Sequence, residues 1–313
     1  MILFLCDNDW ANHMHNMANA LRLVGVDCID VKAVPHGFKY KSESLIKLRS
    51  EINSLIRTAD TIVVFHSCIN SYTAVLKYKL PSAKIFVFHT GNFYRKRAAW
   101  CNRAFNMVHG TLTNHCEFFK LGAKNMQYVE RCIDIKDHPA FKHQVNSPIK
   151  IAHYPSNPEI KGTDKIVSMM DEISSNGCPG EGNFDFIYSK KSVPHSENMK
   201  RISDCDVYIE LFKPEIEGFE YGHYGYAALE AASCGKIVIT QNLNKDIYEK
   251  IYGECPMILV ANEKEFKDAI VYLNSMSKQD ISELQTHIYN WVKEKHSYKA
   301  TGERLKQILL VIS

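Results

Sequence analysis

The 313-residue sequence contains no apolar run approaching the ~18 residues that a helix needs to cross a bilayer. It has no Cys-x-x-Cys pair, and its ten cysteines stand singly along the chain. A chain this long buries a core without crosslinks, so they read as reduced thiols of a cytoplasmic protein. His115-Cys116 and the His13/His15 pair offer ligand atoms without zinc-ligand spacing, and no metal is expected. No Gly-x-Gly-x-x-Gly follows the first apolar segment, which weighs against a dinucleotide oxidoreductase. Gly-x-Ser-x-Gly and His-Glu-x-x-His are absent too, which removes two common hydrolase readings. There is no internal repeat and no low-complexity tract. Met1–Leu5 is apolar, but no basic residues flank it and it meets Asp7 and Asp9 at once. It reads as a buried strand and not as a signal peptide.

What the sequence does have is an ordinary globular composition, 45% hydrophobic and 23% charged, in a length that suits two domains of about 150 residues. Charge is unevenly placed. Residues 1–140 hold 18 Lys and Arg against 11 Asp and Glu, and eight of the 14 histidines; the remainder holds 20 basic against 24 acidic residues. A basic first half suits a polyanionic or membrane-surface partner, the alternative being a solvated surface.

Short apolar segments at Ile2–Cys6, Val26–Val31, Thr61–His66, Lys84–His89, Gly110–Thr113 and Asn125–Val129 alternate with amphipathic ones such as His13–Val24 and Ser44–Thr58. That alternation predicts a parallel, doubly wound α/β sheet. Turn signals at Asp137-His138-Pro139 and Asn146-Ser147-Pro148 mark a linker. A second set follows: strands Ile149–His153, Phe184–Ile187, Asp206–Leu211, Lys236–Thr240 and Met257–Leu259, helices Asp164–Ser174, His195–Ile202 and Gly225–Cys234, and a helical end. The expected layout is a Rossmann-like domain over 1–140, a second over 148–296, and a helix over 297–313 that packs back on the first.

Residues 204–240 carry the strongest chemistry. A strand ending in Glu210-Leu211 runs into a Glu- and Gly-rich loop, and Gly222-His223-Tyr224-Gly225 opens a helix whose free amides suit a diphosphate. Glu230, within that helix, suits two ribose hydroxyls, and Gly235 precedes the next buried strand. A second element is Ser156-Asn157-Pro158-Glu159-Ile160-Lys161-Gly162-Thr163-Asp164, where Lys161 sits as a point charge for a pyrophosphate, the plainer reading being a helix cap. A third is Phe88-His89-Thr90-Gly91-Asn92-Phe93-Tyr94-Arg95 at a strand end, where an isolated histidine is otherwise more often structural. A fourth is Asp7-Asn8-Asp9-Trp10-Ala11-Asn12-His13, or simply a polar turn.

Together these segments resemble glycosyltransferase family 4, whose members carry Glu-x7-Glu before a Gly-Lys-Pro-Val-like strand. Glu230 fills the second Glu position, and Gly222 stands at the first. A subgroup with Gly-x-Tyr-Gly before the helix looks closer and takes its acid from the preceding strand, which points to Glu210, with Glu217 and Glu220 as alternatives. The family's Lys-Gly-x-Asp element matches Lys161 to Asp164, and Ser156 stands where an Arg is common.

The resemblance implies a GT-B fold of two Rossmann-like domains and a retaining transfer from a nucleoside-diphosphate sugar, UDP-sugar favoured, with no other cofactor. His89 and Glu210 would act on the sugar. Ser156, Asn157, Lys161, Lys190, His223, Tyr224, Gly225 and Glu230 would hold the donor, and Asn12, His13, Tyr94 and Arg95 the acceptor. The acceptor is either hydroxymethylated bases in viral DNA or a cell-surface glycan or glycolipid. For DNA, Lys39, Lys41, Arg95, Lys96, Arg97 and Arg103 would grip phosphates, and Phe93, Tyr94 and Trp100 would stack on a flipped base. For a membrane-surface acceptor the same charges would meet anionic headgroups. A protein that binds nucleotide sugar or nucleic acid without catalysis is the reading from another class.

Overall fold

The computed structural model describes residues 1–311 apart from 36, 39, 142–144, 176–183 and 242–243. The chain forms two compact units, Met1–Asp134 with His296–Ser313, and Ile135–Lys295. In the first, strands β1 (Ile2–Cys6), β2 (Cys28–Lys32), β3 (Leu45–Ile46), β4 (Thr61–Phe65), β5 (Lys84–His89), β6 (Gly110–Thr113) and β7 (Met126–Tyr128) form one sheet. Their order is β3-β2-β1-β4-β5-β6-β7, with every neighbouring pair parallel. Parallel strands covered on both faces read as continuous apolar runs, and Ile2–Cys6 is buried at all five positions.

Helices α1 (His13–Leu23), α2 (Arg49–Thr58), α3 (Ile69–Tyr78) and α4 (Gly91–Ala104) supply that cover. Alternate β1 residues feed two cores. Ile2, Phe4 and Cys6 cluster with Met14, Met17 and Leu21 of α1 and with Leu305 and Leu309. Leu3 and Leu5 cluster with Ile56, Tyr72, Val75, Tyr94, Cys101 and Phe105. The Ser44–Thr58 segment, read as one helix, divides. Leu45 and Ile46 pair with β2 as an edge strand, and the helix begins at Arg49 because Glu51 accepts the Leu48 amide at 2.9 Å. Leu45 and Leu48 fit the helical period but stay exposed.

The second unit contains β8 (Ile149–His153), β9 (Phe184–Tyr188), β10 (Val207–Leu211), a two-stranded hairpin of β11 (Glu215–Ile216) and β12 (Phe219–Glu220), β13 (Ile237–Thr240) and β14 (Ile258–Leu259). Its main sheet runs β14-β13-β10-β8-β9, all parallel. Helices α5 (Pro158–Lys161), α6 (Thr163–Ser175), α7 (His195–Ser203), α8 (Tyr226–Ser233) and α9 (Lys245–Tyr252) connect these strands, and α10 (Glu263–Ser275) and α11 (Lys278–Lys295) follow the last of them. Residues 135–147 run with this unit, where Asn146 donates from backbone and side chain to the buried Asp206 carboxylate at 3.0–3.2 Å. Nine cysteines among the described residues are free thiols, and no described helix is long and apolar enough to cross a membrane.

The chain returns to the first unit with α12 (Tyr298–Lys306), which continues as a π-helical turn over Gln307–Val311. It lies on α1 at very close range, since a Cβ on Gly302 would stand 2.1 Å from the Ala20 carbonyl oxygen. Alanine is the better helix former by about 1 kcal/mol, whereas overpacking against backbone costs about 1–3 kcal/mol. The clash outweighs the propensity, so Gly302→Ala is expected to lower thermal stability. An unchanged or raised melting temperature would show that α12 can shift away from α1 at no cost.

Candidate functional site

Open parallel sheets bind ligands beyond the carboxyl ends of their strands, where the strand order reverses. In the second unit that switch point lies between β8 and β10, which are neighbours with β9 on one side and β13 on the other. The expected donor residues gather there. Past β8, Asn157 caps the single turn of α5 by accepting the Ile160 amide at 3.1 Å, with Ser156 exposed beside it. Gly162 then turns left-handed at φ +70°, and a Cβ there would stand 2.1 Å from the Phe212 carbonyl oxygen. This close approach anchors Lys161, whose carbonyl accepts the Phe212 amide at 3.1 Å.

The Lys161 ammonium donates to Glu210 Oε1. Glu210 sits where the β10–β13 register slips between Ile209 and Leu211, and such a bulge re-aims a side chain. Its Oε1 also accepts the Gly225 amide at 3.3 Å, and its Oε2 accepts the Thr240 hydroxyl at 2.9 Å. Glu210 is 1% exposed. Both oxygens are bonded inside the unit, and Glu210 ties Lys161 to the start of α8. A Cβ on Gly225 would lie 3.0 Å from both Glu210 Oε1 and Lys161 Nζ, so a larger residue there would press on the ends of that pair.

Beneath this group His153 is fully buried, and burial pushes its pKa down to about 4. The neutral ring donates from Nδ1 to the Ile209 carbonyl at 2.8 Å and accepts at Nε2 from Thr163 at 2.9 Å. Farther along α8, Glu230 is 8% exposed, and its Oε1 accepts from His195 Nε2 at 2.8 Å. Burial opposes charging of Glu230, but the bond to His195 outweighs it and holds the carboxyl below its usual range.

Other expected donor residues fall elsewhere. Lys190 pairs with Asp164 at 2.6 Å on the open surface, a contact of little energetic weight. The side chains of His223 and Tyr224 are 1% and 0% exposed. Their backbone leads directly into α8. The following Gln241 pins the Glu-rich loop, accepting the Lys213 amide at 2.5 Å and donating to the Lys213 carbonyl at 2.8 Å. His195, Thr240 and Gln241 had no motif to flag them.

In the first unit the order reverses between β1 and β4. Asp9, after β1, is buried and accepts the Met14 and His15 amides at 2.7 and 3.0 Å, so it starts α1. Asn12 takes a left-handed φ of +55° and donates to the Ser42 carbonyl at 2.8 Å. His13 packs edge-on against Phe65 and Phe88, with Nε2 3.4 Å from Asn114 Nδ2. Cys6, Asp9 and His66 place one ligand atom each within 4.8 Å of one another, but the Asp9 carboxylate already serves two helix amides.

Three of the expected residues, on β5 and α4, are buried. His89 is fully buried, stacked on Tyr94 at 3.9 Å between ring centres, with Nδ1 2.9 Å from Ser67 Oγ. Burial pushes its pKa down to about 3, so the ring is neutral. Tyr94 is fully buried and its hydroxyl donates to Asn102 at 2.9 Å, which removes it from any stack on a base. Arg95 is buried in an ion pair with Glu117 at 2.6 Å, with its guanidinium over the Phe118 ring. Of the remaining basic positions, Lys41, Lys96, Arg97 and Arg103 are exposed, and Lys39 lies outside the described residues.

Two parallel, doubly wound α/β units define the GT-B fold of glycosyltransferases. Among solved structures the chain is similar to Anabaena Alr3699/HepE in complex with UDP and glucose (TM-score 0.65, 10% identity, 99% of each chain covered). It is also similar to WaaG, a glycosyltransferase involved in lipopolysaccharide biosynthesis (TM-score 0.57, 12% identity, 99% of this chain and 100% of that one). Against TarM the TM-score is 0.59 at 12% identity, and the match covers 80% of this chain but only 54% of TarM, about half its length. No family model matches the chain, and no curated protein matches it by sequence.

Proposed function

We propose that the protein is a glycosyltransferase that moves a sugar, with retention, from a nucleoside-diphosphate sugar to a hydroxyl acceptor. The observation that carries this reading is that Lys161, tied through Glu210 to the Gly225 amide, stands at the start of α8 at the β8/β10 switch point, with Glu230 a turn farther along the same helix. As the donor bond breaks, negative charge builds on the leaving diphosphate. A fixed cation and a helix N-terminus beside it stabilise that charge without reorganisation. Glu210 supplies the fixing, and Glu230 is placed to accept ribose hydroxyls. The likeness to HepE, solved with UDP and glucose, supports a UDP-sugar as donor.

For the acceptor, α4 favours a membrane-surface glycan or glycolipid over DNA. Its exposed side chains include Phe93 and Trp100, rings 6.2 Å apart and edge-on, flanked by Lys96, Arg97 and Arg103. Aromatic and cationic groups together suit an anionic headgroup layer. The base-stacking Tyr94 and phosphate-gripping Arg95 of the DNA reading are both in the core.

Calorimetric titration with UDP, followed by a turnover assay with a panel of UDP- and GDP-sugars, tests the donor reading. UDP is expected to bind, and Glu230→Ala to weaken it by about tenfold, the scale of lost hydrogen bonds to a charged group. Unchanged UDP affinity in that variant removes Glu230 from the donor site. Binding without turnover of any donor would make the protein a nucleotide-sugar binder. Sedimentation with anionic vesicles but not with duplex DNA is the expected acceptor-side result, and transfer of sugar to hydroxymethylated DNA would reverse it.

A further inference from the structure

Glu230 presents its two oxygens asymmetrically. Oε1 is tied to His195 Nε2 at 2.8 Å, whereas Oε2 makes no hydrogen bond with any described residue. A buried carboxylate with a single tether has its rotamer fixed and one acceptor oxygen left for a ligand. The tether is itself supported. His195 is the first residue of α7, and its ring lies 6.3 Å from that of His138. The Ser233 hydroxyl donates to the Glu230 backbone carbonyl at 2.7 Å, so His138, whose Nδ1 meets Ser233 Oγ at 2.5 Å, must donate to that hydroxyl oxygen. His138 and Ser233 thus brace the α8 turn that carries Glu230. Lys161 and His138 also face the carboxylate electrostatically, and both favour its ionised form.

We infer that His195 is a positioning residue for the donor's ribose: it holds Oε1 of Glu230 so that Oε2 is presented to the sugar hydroxyls. This inference rests on the donor reading above. It follows that His195 contributes to ribose recognition without touching the nucleotide. Removing it lets the Glu230 side chain sample other rotamers, and hydroxyl recognition weakens while the diphosphate contacts stay.

The readout is the ratio of affinities for UDP and 2′-deoxy-UDP, measured by titration in wild type, His195→Ala, His195→Gln and Glu230→Ala. Wild type is expected to prefer UDP by about tenfold, equivalent to about 1.4 kcal/mol. In His195→Ala the ratio falls to about twofold, with deoxy-UDP affinity unchanged. The Gln variant, whose amide nitrogen can replace the imidazole donor, restores it. A wild-type ratio in His195→Ala, or an equal loss for both nucleotides, overturns the positioning role. If Glu230→Ala also keeps the wild-type ratio, it is the ribose role of Glu230 that fails, and if wild type binds neither nucleotide, the donor reading itself fails.

Discussion

Lys161→Met is expected to destabilise the second unit by about 3–5 kcal/mol and to weaken UDP binding by at least about tenfold. Both effects follow from one contact. Glu210 is without solvent exposure in its side chain, and Lys161 is 13% exposed. Methionine fills the lysine stem but leaves the Glu210 charge buried with only the Gly225 amide and Thr240 hydroxyl for partners. Removing one member of a buried pair is far more damaging than replacing both. Lys161→Met combined with Glu210→Gln is therefore expected to recover most of the stability and none of the nucleotide affinity. Urea unfolding followed at Trp291, buried in this unit and donating to the Tyr248 hydroxyl, reads the first quantity. Titration with UDP reads the second. Equal stability of the single and double variants would show that the pair does not carry the energy, and wild-type UDP affinity in either would take Lys161 out of the donor site.

Acidification from pH 7 to pH 5 is expected to weaken the first unit by at least about 4 kcal/mol, about 2 kcal/mol each from His89 and His115 with His13 acting in the same direction, before its carboxylates begin to protonate. Burial pushes His89 down to about 3 and His115 to about 4, the latter despite the opposing Glu117 charge. Burial also lowers His13. An unfolded chain titrates its histidines near the ordinary value of about 6.5, so between that pH and the depressed folded values the unfolded state binds more protons. Stability is then complete above about pH 6.5 and declines as pH falls towards 4. Each such group contributes about 1.4 kcal/mol per pH unit over that range. Histidine proton shifts measured by NMR, together with amide exchange in β4 and β5, test this directly. Titration of these rings near pH 6.5 in the folded protein, or exchange rates flat in stability terms from pH 7 to 5, would defeat the prediction.

Much of the fold was legible because sheet strands covered on both faces leave unbroken apolar runs. Ile2–Cys6, Lys84–His89, Gly110–Thr113 and Ile149–His153 are bounded in the structure as the runs suggest. The helix over Gly225–Cys234 was legible from its flanking glycines. Position at a strand end marks a ligand site in general but not the direction of any one side chain. After β5, Tyr94, Cys101 and Phe105 recur at helical spacing, a core stripe that the motif-like His-Thr-Gly-Asn-Phe-Tyr-Arg string conceals. Arg95 finds Glu117 at 22 residues' separation, Glu230 finds His195 at 35, and Lys161 finds Glu210 at 49. Local pattern carries no information on pairings of that range, so a charged residue bound for a buried ion pair looks the same as one bound for substrate.

The return of α12 to the first unit has a consequence for how the chain comes off the ribosome. Met1–Asp134 emerges first, yet the face of α1 carrying Met14, Met17 and Leu21 shares its core with Leu305 and Leu309. Ile135–Lys295 is continuous in sequence and can complete its core before Leu305 and Leu309 are translated. The nascent first unit thus waits with an open apolar groove until α12 arrives, and the continuous second unit is the first able to finish folding. A chaperone that recognises exposed aliphatic surface would meet this protein through its amino-terminal sheet, for as long as synthesis of the following 160-odd residues takes.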